Sequence, residues 1–314
     1  MTPTADNDKP PRPAAPPAAG RAAEWALKYS LVGPVLLFLI AFNVFPLCYN
    51  IVLSFTDARL TAAAFEWVGF ENYRRLFNVA DYPEYAAALR TTALFVVAAV
   101  SIELVLGFTV AMALRDQFHG KGAVLTVLLI PMMLSPAVMG MFWNLILDAQ
   151  FGVANQLLGA LHLPQPVWNR DWKLTVVLLI DVWMWTPFMM LIALAALNAI
   201  PRHLYEAAEI DRASRWTVFR RITLPLCAPL LLLAVLLRVT DALKQFDLVM
   251  AITGPNDSAT QTLSALTYLE TFSQREVGRG STYACVILVL VIALATMFTR
   301  YLARLQRRQG RASA

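Results

Sequence analysis

Charged residues are scarce in this 314-residue sequence, at 15% of the chain against 58% hydrophobic residues. An ordinary soluble domain carries about 25% charged residues, so the composition excludes that class and predicts a membrane protein. Cysteine is also rare: Cys48, Cys227 and Cys285 each lie in or beside an apolar run, with no CxxC pair. This pattern argues against a disulfide framework and gives no support for a metal site.

Motifs of common catalytic chemistry are missing too. The sequence contains no GxxxxGK[ST], the loop that holds nucleotide phosphates, so the chain is not expected to hydrolyse ATP by itself. It contains neither G-x-S-x-G nor H-E-x-x-H, and the histidines His119, His162 and His203 are scattered. We therefore expect no catalytic residue, and no metal or cofactor bound by this chain.

Long apolar runs dominate what is present. A helix of about 18 or more apolar residues crosses the hydrocarbon core of a bilayer. Runs of this length occupy residues 29–55, 90–114, 122–147, 174–198, 224–246 and 282–303. The sequence therefore predicts an all-α membrane protein with six transmembrane helices in one domain over residues 25–304. Pro131, Pro136 and Pro187 predict kinks in the third and fourth runs, and kinks open room for a cavity.

The two ends of the chain differ from this domain. Residues 1–24 hold six prolines within the first twenty positions and are predicted to be a disordered tail. Residues 305–314 form a short basic tail. The first apolar run is too long and too far from Met1 for a signal peptide, so we expect it to remain as an anchor.

Lys and Arg are distributed unequally between the two sides of the predicted membrane. The side that holds both termini carries sixteen of them, and the other side carries eight. Cytoplasmic loops are the ones enriched in Lys and Arg, so both termini are expected in the cytoplasm. The net charge of +5 comes with these membrane-flanking residues and gives no reason to expect a nucleic-acid partner.

The segment between the fourth and fifth runs is unusually polar, because residues 206–225 carry seven charges in twenty positions. On one helical wheel its apolar residues share a face with Asp211 and Arg215, so a single amphipathic helix fits poorly. Two short helices fit better, one over 202–210 and one capped by Ser214. Such a hairpin could simply lie on the lipid headgroups.

Its residues, however, resemble a known element. Glu206-Ala207-Ala208, followed at their spacings by Phe219, Ile222, Leu224 and Pro225, resemble the EAA loop of bacterial binding-protein-dependent ABC importer permeases. Three further stretches are similar to segments of the same family, the last of them to its carbohydrate-importing members. These are WVGFENY at 67–73, FGVAN at 151–155 and RVTDALKQFD at 238–247.

This resemblance implies the chain's partners. In that family the EAA loop docks in a groove on a separate ATPase, so the resemblance implies two ATP-binding subunits that carry ATP and Mg. It also implies an extracytoplasmic solute-binding protein and a second permease subunit, commonly a related but non-identical chain. The coupling segment would be 201–223, and the coupling residues would be Glu206, Ala207, Ala208, Asp211, Arg212, Phe219, Ile222, Leu224 and Pro225.

One position departs from the family pattern. The residue after Asp211 is usually Gly, and here it is Arg212. A non-glycine residue at positive φ costs about 1 kcal/mol. We therefore expect either a slightly strained turn or a turn with negative φ.

Polar groups at membrane depth mark the candidate substrate path, because they are costly there unless they face a cavity or a partner. Trp, Asn, Asp and Arg side chains suit a sugar, since rings stack on its apolar face and polar groups bond its hydroxyls. The candidates are Trp143, Asn144, Asp181, Trp183, Trp185, Arg238, Asp241 and Lys244.

Other roles remain open for these residues. Arg238, Asp241 and Lys244 are spaced i, i+3, i+6 and could neutralise one another. The tryptophans could be membrane-interface residues. Glu103 in the second run is as well suited to an interhelix hydrogen bond as to a ligand contact.

The leading hypothesis is the permease subunit of an ATP-driven ABC importer that carries a sugar or sugar alcohol by alternating access. A secondary transporter or channel that works without an ATPase explains the six runs equally well, but leaves the charged segment without a task. An anchoring or assembly protein with no transport pathway is the third possibility.

Overall fold

The computed structural model describes the backbone of residues 18–77 and 83–312, with side chains described over 29–77 and 83–304. This part of the chain is helical, with no β-strand and one isolated bridge between Thr56 and Trp67. It divides into two compact units, Met1–Val52 and Leu53–Ala314.

The first unit contains one long apolar segment. Helix α1, Ala18–Leu39, is followed by a π-helical turn, Ile40–Val44, and by α2, Phe45–Leu53. The π turn comes just before Pro46, which has no N–H to donate to the preceding turn. Residues 1–17 of the predicted tail lie outside the described residues, and the described backbone begins with α1 at Ala18.

Four further long apolar helices lie in the second unit, and together with Tyr29–Leu53 they make five candidate membrane spans. They are α4, Pro83–Ala113; α9, Lys173–Asn198; the run Arg215–Ala242, made of α11, Arg215–Val218, a π turn, Phe219–Thr223, and α12, Leu224–Ala242; and α15, Val277–Ala312, apolar to Arg304. Three of them begin earlier than the predicted runs. The second run begins at Pro83 instead of residue 90, the fifth at Arg215 instead of 224, and the sixth at Val277 instead of 282.

The third predicted run is not one helix. It is broken into α5, Lys121–Leu129, a 3₁₀ turn, Pro131–Met133, and α6, Pro136–Ile146. Pro131 and Pro136 cannot donate backbone hydrogen bonds, and Leu134 between them is extended, at φ −94° and ψ 150°. Apolar length alone therefore overestimated this run, and the expectation of six long helices holds for five.

The core is built on the contact between α4 and α9. Ala99, Gly107 and Ala111 of α4 face α9 or the helices packed beside it, and a Cβ on Gly107 would lie 2.6 Å from the Cβ of Met189. Small residues allow this close approach of two membrane helices. The pair supports the polar groups described below.

Short helices occupy the connections. They are α3, Glu71–Phe77; α7, Val153–Ala160; α8, Trp168–Asp171; α10, Arg202–Ile210; α11, Arg215–Val218; α13, Asp247–Ile252; and α14, Leu263–Tyr268.

Two of the stretches that carried the family resemblance fold around a buried asparagine. The Asn72 amide donates to the backbone oxygens of Ser54, at 3.1 Å, and Thr56, at 2.9 Å. Asn155 donates to the backbone oxygens of Ala149 and Pro166 and accepts from the Trp168 indole at 2.8 Å. A side-chain amide thus supplies the hydrogen bonds that these loop backbones would otherwise lack.

Candidate functional site

The charged segment between α9 and α12 forms a helix, a tight turn and a second helix. Helix α10 covers Arg202–Ile210, and α11 begins after Ser214, whose hydroxyl accepts from the Thr217 N–H at 3.2 Å. Between them Arg212 has φ +51°, the left-handed conformation that glycine adopts most easily. Of the two geometries expected for this turn, the chain therefore has the strained one.

Helix α10 has one face turned to the protein and one face free. Ala208 is 7% exposed, and Leu204 and Tyr205 pack against the cluster formed by the ends of α4, α9 and α12. Arg115 stacks over the Tyr205 ring at 4.1 Å, and the Tyr205 hydroxyl lies 3.1 Å from the Thr223 hydroxyl. These contacts fix the orientation of the segment.

The other face presents apolar side chains between charges. Glu206, Ala207, Asp211 and Arg212 are exposed, and so are Ile210, at 83%, and Trp216, at 67%. The two alanines of the motif therefore face opposite ways. A free face that mixes apolar and charged groups is typical of a protein-docking surface, and we call Glu206, Ala207, Ile210, Arg212 and Trp216 the coupling face.

The remaining predicted coupling residues lie where α11 passes into α12. Phe219 and Ile222 are half-buried, and Phe219 packs edge-on to Phe108 of α4 at 6.0 Å. Leu224 and Pro225 are exposed. The π turn Phe219–Thr223 precedes Pro225 just as the first π turn precedes Pro46, because each proline removes a backbone donor from the helix.

A buried ionic cluster joins three of the long helices. The Arg238 guanidinium of α12 makes two hydrogen bonds to Glu103 of α4, Nε to Oε2 at 2.8 Å and Nη2 to Oε1 at 3.0 Å. The same Nη2 contacts Asp181 of α9, whose other oxygen accepts from Gln245 at 2.8 Å. Nη1 donates to Asp241 Oδ2 at 3.2 Å. This cluster, formed by Glu103, Asp181, Arg238, Asp241 and Gln245, ties α4, α9 and α12 together.

Burial divides the cluster into an inner and an outer part. The side chains of Arg238, Glu103 and Asp181 are 2%, 0% and 0% exposed, whereas that of Asp241 is 51% exposed. Trp185 packs beside the guanidinium, with its ring centre 4.9 Å from Arg238 Cζ. Each nitrogen of the Arg238 guanidinium therefore has a hydrogen-bond partner within the protein. Asp241 is the member of the cluster that reaches the surface.

The spacing of Arg238, Asp241 and Lys244 predicted only part of this arrangement. The Arg238–Asp241 pair forms, but Lys244 is exposed and is not among the cluster's contacts. Glu103 was recognisable in the sequence as a lone charge in an apolar run, although its partner was not. Gln245 gave no signal, because an amide near the end of an apolar run is unremarkable.

The other predicted substrate residues form a second group on α6 and α9. Trp143 and Trp183 pack edge-on at 5.5 Å, and the buried Trp143 Nε1 has no hydrogen-bond partner among the described residues. Asn144 donates to the backbone oxygen of Ala251 at 3.4 Å and accepts from Asn169.

Pockets for small ligands have volumes of about 300–1,000 Å³, and one of 620 Å³ opens beside Trp183. Its walls include Leu106, Pro131, Thr186 and Pro187, so the broken third run and the proline of α9 both border it. Within the described part of the chain, no group of three or more His, Cys, Asp or Glu could hold a metal ion.

Long apolar helices with charged side chains buried between three of them are typical of a multi-pass membrane protein. Residues 103–309 match the model of the binding-protein-dependent transport system inner membrane component family, and the chain belongs to this family. The match confirms the resemblance first seen around Glu206, and it starts at Glu103 of the ionic cluster.

Several similar proteins are carbohydrate permeases. The chain is 30% identical to the trehalose/maltose transport system permease protein MalF of Thermococcus litoralis, over 88% of this chain and 94% of that one. It is 30% identical to the sulfoquinovosyl glycerol transport system permease protein SmoG of Agrobacterium fabrum, over 86% and 88%. A probable ABC transporter permease protein, y4oQ of Sinorhizobium fredii, is 35% identical over 80% and 81%.

The fold also matches a solved structure. A chain of a bacterial ABC transporter for the import of the acidic polysaccharide alginate superposes with a TM-score of 0.78, at 18% identity, covering 91% of this chain and 98% of that one. The likeness shows a shared fold. The family match, taken with the long apolar helices, identifies a multi-pass inner membrane protein.

Proposed function

We propose that the chain is one permease subunit of an ATP-driven importer that moves a neutral sugar or sugar alcohol across the inner membrane by alternating access. ATP is hydrolysed, with Mg, on two separate ATP-binding subunits. A second, related permease chain completes the pathway, and an extracytoplasmic binding protein delivers the substrate. Both termini and the coupling segment lie in the cytoplasm.

The coupling face is the observation that carries this proposal. A secondary transporter would have no use for an exposed helical hairpin with apolar Ile210 and Trp216 at its surface. A groove on a soluble subunit would bury both side chains, and the charges of Glu206 and Arg212 would set the register. Because α10 packs on the ends of α4, α9 and α12, a push on the coupling face would be transmitted directly to the spans.

The polar residues at membrane depth support a neutral substrate. Arg238 and Asp181 are buried in the ionic cluster, so the charged groups left at the surface of this region are Asp241 and Lys244, which are opposite in sign. Trp183, which packs edge-on to Trp143 and lines the 620 Å³ cavity, offers ring surface for the apolar face of a sugar. Permeases named for trehalose and maltose among the relatives agree with this choice.

Reconstitution tests the proposal against the alternative of ATP-independent transport. The chain would be placed in proteoliposomes alone and, separately, with the ATPase, second permease and binding protein of the same importer. We expect sugar uptake only in the complete assembly and only with ATP. Sugar flux through the chain alone would contradict the proposal and favour a secondary transporter or channel.

A second test compares a variant on the coupling face with a control variant outside it. Ala207→Arg changes an exposed residue and is expected to leave the fold intact, but to prevent co-purification of the ATPase and to abolish uptake. Arg202→Ala, at the start of the same helix and outside the coupling face, is expected to keep both. Equal co-purification of the ATPase with both variants would show that the coupling face is not the docking surface.

A further inference from the structure

The inner part of the ionic cluster holds more negative than positive charge. Glu103 and Asp181 face a single guanidinium, that of Arg238, and the three side chains are essentially unexposed. If both carboxyl groups were ionised, this buried group would carry a net charge of −1. An uncompensated charge in a low-dielectric interior is unfavourable, and buried groups generally neutralise instead.

Among the described residues, the groups that face the two carboxyls include no second cation to balance this charge. On α4 the group is Glu103 itself, on α9 it is Asp181, and on α12 they are Arg238 and Asp241. Beyond α12 the facing group is Gln245, an uncharged amide that bonds Asp181. Asp241 adds further negative charge, and Lys244 is exposed and outside the cluster's contacts.

The geometry also brings the two carboxyls together. Glu103 Oε1 and Asp181 Oδ2 both contact the same nitrogen, Nη2 of Arg238. Two carboxyls held against one another cannot both ionise readily, and such pairs share a proton.

We propose that Glu103 and Asp181 form a buried proton-binding site, in which the pair holds one proton and shares a single negative charge opposite Arg238. The proton belongs to the pair rather than to either residue, as in other coupled carboxyls. With the proton bound, the inner cluster is neutral and joins α4, α9 and α12. Without it, a net negative charge remains between the three helices.

Infrared difference spectroscopy of the full-length permease in lipid nanodiscs tests the site directly. A protonated carboxyl has a carbonyl stretch that a carboxylate lacks, and the band shifts in D₂O. In Glu103→Gln or Asp181→Asn the remaining carboxyl pairs with Arg238 as an ion. Wild type minus either variant at pH 7 should therefore show one protonated carboxyl band. Wild type minus Asp241→Asn, the matched control, should show none.

Thermal unfolding gives a second measurement. Each single amide variant should shift the midpoint by no more than about 3 °C, whereas Glu103→Gln with Asp181→Asn, which leaves Arg238 without a buried counter-ion, should lower it by about 10 °C or more. The absence of a protonated carboxyl band from both single-variant difference spectra would overturn the proposal. If a variant fails to fold, Glu270→Gln decides, because a protonated carboxyl band should remain at pH 7 after this other buried carboxyl is removed, and its absence would equally overturn the proposal.

Discussion

The ionic cluster and the coupling segment concentrate charge in opposite ways. In the cluster, Arg238 is buried and each of its nitrogens has a partner within the chain. In the coupling segment, charged side chains surround exposed Ile210 and Trp216, with one strained residue at the turn. Substituting a side chain of the cluster should therefore lower stability, because its charged partners stay buried without it. Substituting one of the coupling segment should mainly weaken the binding of a partner protein.

The largest expected effect comes from breaking the cluster. Arg238→Met keeps the volume of the side chain but leaves Glu103 and Asp181 without their cation. Removing one partner of a buried ion pair costs about 3–5 kcal/mol, so we expect a large loss of folded protein in thermal unfolding and size-exclusion measurements. Lys244→Met, on the same segment but exposed, should change stability by no more than about 0.5 kcal/mol. Equal stability of the two variants would mean that the cluster does not hold the helices.

Variants of Ala207 and Ala208 separate the effect on stability from the effect on partner binding at two adjacent positions. Ala208 is buried and Ala207 is exposed, so one substitution should have two outcomes. Ala208→Leu overpacks the contact with the spans, at about 1–3 kcal/mol, and should lower the thermal midpoint. Ala207→Leu should leave the midpoint unchanged and weaken co-purification of the ATPase. If both variants lost stability alike, the proposed division of the helix into two faces would be wrong.

The turn at Arg212 gives a smaller effect of opposite sign. Arg212→Gly removes the strain of φ +51° and should stabilise the chain by up to about 1 kcal/mol. Glu209→Gly, in the preceding helix, should destabilise it by about 0.5–1 kcal/mol. Thermal unfolding compares the two variants, and an Arg212→Gly variant less stable than wild type would show that the turn is not strained. Unchanged transport and ATPase coupling in Arg212→Gly would further show that the position tolerates either residue.

The sequence was sufficient for properties that depend on local pattern. Apolar length located five long helices, and the distribution of charge and small residues around Asp211 indicated two short helices with a bend between them. Arg212 was identifiable as an unusual position, because the family's usual residue there is Gly, but the structure was needed to choose between a strained turn and a turn with negative φ. In each case the relevant residues are close in sequence, so the physical constraint is visible in one short stretch.

The rest depends on contacts between distant residues. Glu103 lies 135 positions from Arg238, and Asp181 lies 57, so no spacing rule connects them. The nearby Asp241 was the predicted partner, but it is the weaker one, exposed and at 3.2 Å. In the third run Pro131 and Pro136 predicted a kink, but the structure divides the helix at the extended Leu134 between them, and apolar length gives no sign of that break.

The smallest expected effect on stability comes from Glu270, a buried carboxyl whose cation, Arg279, is farther away than those of the ionic cluster. It lies in the π turn Leu269–Ser273 and is buried, with Oε2 at 3.5 Å from Arg279 Nε. Burial raises the pKa of Glu270, with nearby Glu84 and Glu276 adding to the rise and Arg279 opposing it.

The sign of the pH dependence follows from this raised pKa. A carboxyl whose pKa is higher in the folded than in the unfolded state, where it is about 4.3, favours folding while protonated. That contribution is complete below the unfolded pKa and is lost as the pH rises through the folded pKa.

Glu270→Gln cannot ionise, so its thermal midpoint should fall less than that of wild type between pH 4 and pH 8, by on the order of 1–2 °C. Glu71→Gln, which removes a half-exposed carboxyl paired with Arg75, should follow the wild-type pH curve over the alkaline part of this range. Identical pH curves for Glu270→Gln and wild type would mean that Arg279 compensates the buried charge fully. A partner at 3.5 Å would then serve as well as the direct contacts around Arg238, and the comparison between well-paired and poorly paired buried carboxyls would fail.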